Sequence, residues 1–219
     1  MKIVTMYPKR MRQSFNWKVE EPELLVYAVN IADLWLDREL KEKGYITADH
    51  LNKACGILSE EIMHSMLCEL SVPHVRTVPL LSKEHPVNAG KPYDIKIEDS
   101  TIDIKAIAPL PPPSGHHCNL NAKKGEIDKY GKCDFYICSK CYPELPAEER
   151  PKPENRKVSK KWALEILRKV ERVQFLGYAT ASELIKEKNL VRTKKPFYSL
   201  HPPFHSMDEF AKRFNIHLT

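Results

Sequence analysis

A mixed α/β fold, with helices flanking a mixed β-sheet behind an N-terminal helical extension, is what this sequence predicts. Three observations lead there. Apolar residues recur at helical spacing through two long stretches, about 22–43 and 48–70. Residues 93–105 alternate isoleucine with charge at the period of a strand. Later strand candidates then alternate with helix candidates, as in a sheet packed against helices.

The totals fit one large domain, or one medium domain with an appendage, in 219 residues. Hydrophobic content of 42% with 29% charged residues is that of an ordinary globular chain. Lysine and arginine outnumber the acids 35 to 29, and this modest basic excess permits nucleic-acid binding without establishing it. The 17 prolines against seven glycines restrict loop entropy. No run of apolar residues is long enough for a membrane-spanning helix. The start, MKIVTMYPKRMRQSF, lacks the apolar stretch of a secretion signal, so a cytoplasmic location is expected.

Taken in order, residues 1–8 hold a short strand and Pro8–Arg12 a basic loop. Pro22 opens an amphipathic helix to about Lys43, with Leu24, Ala28, Ile31, Trp35 and Leu36 on one side and Gly44 beyond its end. Thr47 is a candidate N-cap for the second helix, which turns Leu51, Leu58, Ile62, Met66 and Leu67 inward. Pro73 stops it, and Val75–Leu81 reads as a strand. After the 93–105 hairpin, the prolines of 109–113 exclude a central strand. Residues 121–129 are weakly helical, Lys132–Ser139 reads as a strand, and 143–157 as a loop. Ser159 caps a helix to about Arg172, Val173–Ala179 is a strand, and Thr180–Glu183 forms a capping box. The tail turns weakly helical from Met207. The expected organisation is an extension over 1–46, an α/β core over 47–190 and a tail over 191–219.

The 93–105 segment carries the chemistry. Strand periodicity puts Ile95, Ile97, Ile102 and Ile104 on one face, and Asp94, Lys96, Asp103 and Lys105 on the other. With Asp99–Ser100 as the turn, Asp94 faces Lys105 and Lys96 faces Asp103. Such a face is either an exposed ladder of ion pairs or a metal-binding centre. Hydrolysis of a phosphodiester needs carboxylates to hold divalent cations against the phosphate, and a lysine to stabilise charge or orient water.

A helix with Glu60 and Glu61, a strand at 75–81, then Lys91-Pro92-Tyr93-Asp94 and Asp103-Ile104-Lys105 together resemble the PD-(D/E)xK nuclease superfamily, of restriction-endonuclease-like fold. The resemblance spans about 58–188 and rests on few residues. It implies Asp94 and Asp103 as Mg2+ (or Mn2+) ligands and Lys105 as the water-orienting or charge-stabilising group. Glu61 is then the auxiliary acid, ahead of Glu60. Tyr93 between Pro92 and Asp94 departs from the pattern, as does Asp rather than Glu as second acid. The alternative frame built on Glu84, Asp94 and Lys96 leaves Asp103 and Lys105 unexplained. A magnesium-dependent DNA endonuclease of restriction, defence or repair type follows as the expected activity, with a homodimer expected because cutting a duplex needs two centres.

Six cysteines in such a chain read as metal ligands or buried thiols before disulfides. Cys118, Cys133, Cys138 and Cys141, with His116 and His117 as substitutes, are candidate ligands of a structural Zn2+, since Cys138 and Cys141 have C-x-x-C spacing. Buried thiols and an iron–sulfur cluster stay open as alternatives, because Cys133 and Cys138 on one strand would point to opposite faces. Cys55 and Cys68 read as core thiols. Lys123 and Lys124 are candidate phosphate contacts, as are Arg156, Lys157, Lys160 and Lys161; solvated surface is the plainer reading of both clusters. His64, His74 and His85 read as surface or core residues. A non-catalytic, zinc-stabilised nucleic-acid-binding protein is the rival function.

Overall fold

The computed structural model describes residues 4–6, 15–19, 22–44, 49–77, 93–110, 119–149, 160–194 and 196–217. The expected caps Thr47 and Ser159, most of the strand expected over 75–81, His85, His116, His117, Cys118, Arg156 and Lys157 lie outside the described residues.

Helix α1 runs Pro22–Lys43, with proline at its first position, where no N–H is required. Gly44, at φ +73°, ends it and donates its N–H to Leu40 O. Helix α2 spans His50–Glu69, and its cap is Asp49, which accepts from Asn52 N–H at 2.7 Å. At its far end Ser71 takes a left-handed φ of 54° while Val72 N–H reaches Leu67 O and Ser71 N–H reaches Cys68 O. That double closure turns the chain sharply into strand β3, His74–Arg76.

Among the described residues the main sheet has seven strands. From β3 the chain passes through β4 (Ile95–Ile97) to β5 (Ser100–Ile107) in an antiparallel meander. Strand β7 (Phe135–Tyr142) lies parallel to β5, which requires the long crossover through 108–134. Antiparallel to β7 lies β8 (Arg172–Thr180), then β2 (Phe15–Val19) and β1 (Val4–Met6). The crossover contains β6 (Leu120–Lys123) and helix α3 (Lys124–Tyr130). Strand β6 pairs with β10 (Phe197–Leu200), which pairs with β9 (Leu190–Val191), making a second sheet. Helices α4 (Lys160–Leu167), α5 (Ala181–Leu184) and α6 (Met207–Arg213) complete the described elements. The first 46 residues thus add β1 and β2 to the main sheet, and the tail supplies β10 and α6.

Period-2 alternation divides the core in two. Ile95, Ile97, Ile102, Ile104, Phe135, Ile137 and Cys141 pack with α1, α2, α4 and α6 in the larger cluster. Complete burial of each such isoleucine contributes roughly 1.5–3 kcal/mol. Tyr136, Cys138 and Ala179 join Cys133, Leu120 and Ala122 on the other side. There Tyr198 and Phe204 pack against the cluster, so these tail aromatics cap the core. Trp35 and Trp162 also pack, half-buried, against the larger cluster. No helix among the described residues is long and apolar enough to cross a membrane.

The hairpin register differs from expectation. Ile97 pairs with Ser100, so Glu98–Asp99 is the two-residue turn. Glu98 adopts φ +52°, and no glycine marks the site, so the sequence carries no turn signature there. Ile95 then pairs with Ile102 and Lys96 with Thr101. The isoleucine face is as expected, but the expected pairs Asp94–Lys105 and Lys96–Asp103 do not form. Lys96 instead reaches Asp99 at 3.3 Å.

Candidate active site

Asp94 sits where β4 begins, and its backbone is held on both sides. Thr77 N–H donates to Asp94 O at 2.7 Å, and Asp94 N–H donates to Ile102 O at 2.9 Å. The regular β4–β5 register ends at Ile95, and Asp94, just before it, lies close enough to Asp103 for their charges to repel. The Asp94 carboxylate accepts Ile104 N–H at 2.7 Å. One strand turn on, Lys105 Nζ lies 2.7 Å from Asp103 Oδ2. Asp103 and Lys105 are 14% and 31% exposed, so the group lies in a recess that solvent still reaches.

Helix α2 adds Glu60 rather than Glu61. Adjacent helical residues point about 100° apart, and here the two glutamates serve different neighbours. Glu61 accepts from Arg76 on β3, and its charge acts with burial to raise the Tyr27 hydroxyl pKa. Glu60 is pushed up to about 7: burial disfavours its charge, Lys53 works the other way, and Asp103 and Glu61 add repulsion. Asp94 is raised well above the usual carboxylate range by burial, then by Glu60 and Asp103. Burial opposes the charge on Lys105, yet Asp103, Asp94 and Glu126 outweigh it and hold the ammonium above the ordinary lysine range. Two carboxyls driven towards neutrality beside one firmly charged lysine is the electrostatic signature of the recess.

Helix α3 forms the rim. Burial works against ionisation of Glu126, but Lys123, Lys105 and Lys53 lower its pKa. Lys123 contacts Glu126 at 2.7 Å and Lys124 contacts Asp128 at 2.6 Å, so both candidate phosphate contacts are paired with acids of α3. Glu60, Lys53 and Glu126 are the recess residues that sequence reasoning did not select. Behind the recess, Cys133 N–H donates to Tyr136 Oη at 3.2 Å, and burial pushes the Tyr136 hydroxyl up to about 12.

The expected four-thiolate site does not assemble. Cys138 and Cys141 are three apart on β7, and odd separation on a strand turns them to opposite faces. Cys138 belongs to the smaller cluster, while Cys141 belongs to the larger and neighbours Cys55 of α2. Cys133 precedes the strand, which lets it share the side of Cys138, contrary to the alternation expected of a single strand. Cys118 lies outside the described residues. Cys55 is a buried thiol as expected, but Cys68 is exposed. Among the described residues, one group of three His, Cys, Asp or Glu side chains brings its ligand atoms within 4.8 Å of one another, and it is His64, Cys68 and His74.

No family model matches the chain, nor does any curated protein or any solved structure.

Proposed function

We propose that this protein is a divalent-metal-dependent DNA endonuclease of PD-(D/E)xK type, with α2, the β3–β4–β5 meander and β7 as a restriction-endonuclease-like core. One observation carries the reading. Three acids, Asp94, Asp103 and Glu60, lie close enough to repel one another around a single lysine, Lys105, which pairs with Asp103. Gathering acids at some cost to the fold makes sense where a cation is to be held. The chain order supports it too: an acid-bearing helix, a strand, then a hairpin with Asp94 and Asp103-Ile104-Lys105.

The donor set suits Mg2+ or Mn2+, which take carboxylate oxygens and keep several waters. Asp94 and Asp103 would hold the ion, with Glu60 as the nearby third acid; bound there, it supplies polarisation of the phosphoryl oxygen and a more acidic water. Lys105, held protonated, donates to the oxygen on which negative charge builds. Glu60, poised near neutrality, accepts the proton of the attacking water. That water's oxygen bonds to phosphorus as the ester P–O bond breaks, and the departing oxygen takes up a proton from solvent. Ile104 N–H fixes the Asp94 carboxylate so that the two acids keep their relative placement. At the rim, Lys123 and Lys124 can exchange a carboxylate partner for a backbone phosphate. A homodimer would bring two centres to the two strands.

The test is cleavage of supercoiled plasmid with Mg2+ or Mn2+ by the wild type, Asp103→Ala and Lys105→Ala. Nicking or linearisation by the wild type, reduced at least about a hundredfold in each variant, is expected. Equal activity in all three would sink the assignment and favour a binding role.

A further inference from the structure

We propose that His64, Cys68 and His74 form a Zn2+ site that staples the C-terminal turn of α2 to β3, the edge strand of the main sheet. His64 and Cys68 are four apart on α2 and so share one helix face. The left-handed Ser71 closure returns the chain so that His74, the first residue of β3, meets that face. His64 Nδ1 lies 2.7 Å from His74 Nε2, and Cys68 Sγ lies 3.8 Å from His64 Nδ1 and 3.7 Å from its Nε2.

The second ring nitrogen of His74 points to the ligand role. His74 Nδ1 donates to Val72 O at 2.8 Å, which leaves Nε2 as a lone pair aimed into the group. A backbone carbonyl fixing the tautomer in this way is the usual support of a metal-bound imidazole. Tetrahedral Zn2+, about 2.0 Å from nitrogen and about 2.3 Å from sulfur, separates N···S pairs by about 3.6 Å and N···N pairs by about 3.3 Å. The Cys68 sulfur is already near that distance from His64 and within 4.8 Å of the His74 ligand atom, and the two imidazoles need to part by about half an ångström. Imidazole and thiolate donors select zinc-class ions over Mg2+, so this site and the acidic recess differ in ligand chemistry. The near cation, Arg76, is engaged by Glu61.

Binding requires the Cys68 thiol proton to leave to solvent and the His64 ring proton to move to Nε2, so affinity falls with falling pH. The three ligands found among the described residues leave a fourth position for water, and Cys68 is exposed enough for ions to enter. The consequence is mechanical. Among the described residues strand β3 has three residues and one sheet neighbour, β4, which Asp94 directly precedes. A metal at this end clamps that edge strand to a long helix.

The experiment titrates the metal-stripped full chain with Co2+, followed by Zn2+ displacement. One equivalent is expected to give a near-ultraviolet thiolate-to-cobalt band and visible bands that Zn2+ abolishes. Cys68→Ser should lose the ultraviolet band, His74→Gln should bind at least about tenfold more weakly, and Asp103→Asn should keep both. Zn2+ should also slow amide exchange at residues 74–76 of the wild type. An unchanged band in Cys68→Ser, unchanged affinity in His74→Gln, or no zinc-dependent protection of β3 would overturn the proposal and leave a hydrogen-bonded histidine pair.

Discussion

Glu60 and Glu61 are neighbours in sequence with the same side chain, yet the fold assigns them opposite duties. Glu61 satisfies Arg76 and abuts Tyr27, so Glu61→Ala leaves a half-buried guanidinium without its acid. We expect a loss of about 1–3 kcal/mol of stability by urea denaturation, with cleavage changed only as far as folding is. Glu60 behaves in reverse. A carboxyl whose folded pKa is about 7 binds a proton in the folded state that the unfolded state releases near the usual glutamate value. Folding stability therefore falls as pH rises from about 4.5 through about 7. In chelator, Glu60→Gln removes that loss, so its stability relative to wild type should climb across this window; a flat difference from pH 4.5 to 8 would refute the placement. Sequence spacing put Glu61 ahead of Glu60, whereas the structure engages Glu61 with Arg76 and turns Glu60 towards Asp103, because the outcome depends on where α2 crosses β5 and where Arg76 returns.

Elements were legible where local chemistry and burial agree. Pro22 and Gly44 bracket α1 at its observed ends, and the Thr180–Glu183 capping box is present at α5. The hairpin was half legible. Its isoleucine face follows from alternation alone, while its register depends on a turn without glycine, where Glu98 bears the left-handed φ. Strands β6 and β10 were missed because each is four residues long and finds its partner across most of the later chain. The bulge in β8 is a further element-scale feature: Cys138 pairs with Gly177 but Ser139 with Phe175. A Cβ on Gly177 would lie 2.5 Å from His205 O, where Tyr178 and His205 exchange backbone hydrogen bonds. Gly177→Ala should therefore cost more than about 1 kcal/mol and raise amide exchange at Tyr178 and His205. An unchanged melting temperature would contradict that close approach. The His64–Cys68–His74 group has its own sequence signal, H-x3-C-x5-H, but its span across a helix end gives it no regular spacing, so singly these residues read as surface or core. The C-x-x-C pair, Cys138 and Cys141, is split by the alternation of β7.

At the scale of the molecule, the sheet organises the chemistry. One face buries isoleucines against α1 and α2, and at the start of the β4–β5 pairing the charged face gathers Asp94, Asp103 and Lys105. Helix α2 adds Glu60, which Asp103 and Lys105 influence, and α3 adds Glu126, which acts on Lys105. The central claim is that this recess, and not the charge of the surface at large, cuts phosphodiester bonds. The most direct measurement is the single-turnover cleavage rate of an end-labelled DNA duplex with and without Mg2+, for the wild type, Asp103→Asn, Glu60→Gln and Glu61→Gln. The account predicts a Mg2+-dependent rate that falls at least about a hundredfold in Asp103→Asn, falls in Glu60→Gln, and persists in folded Glu61→Gln. A rate that ignores Mg2+, or that is the same in all four proteins, would contradict it.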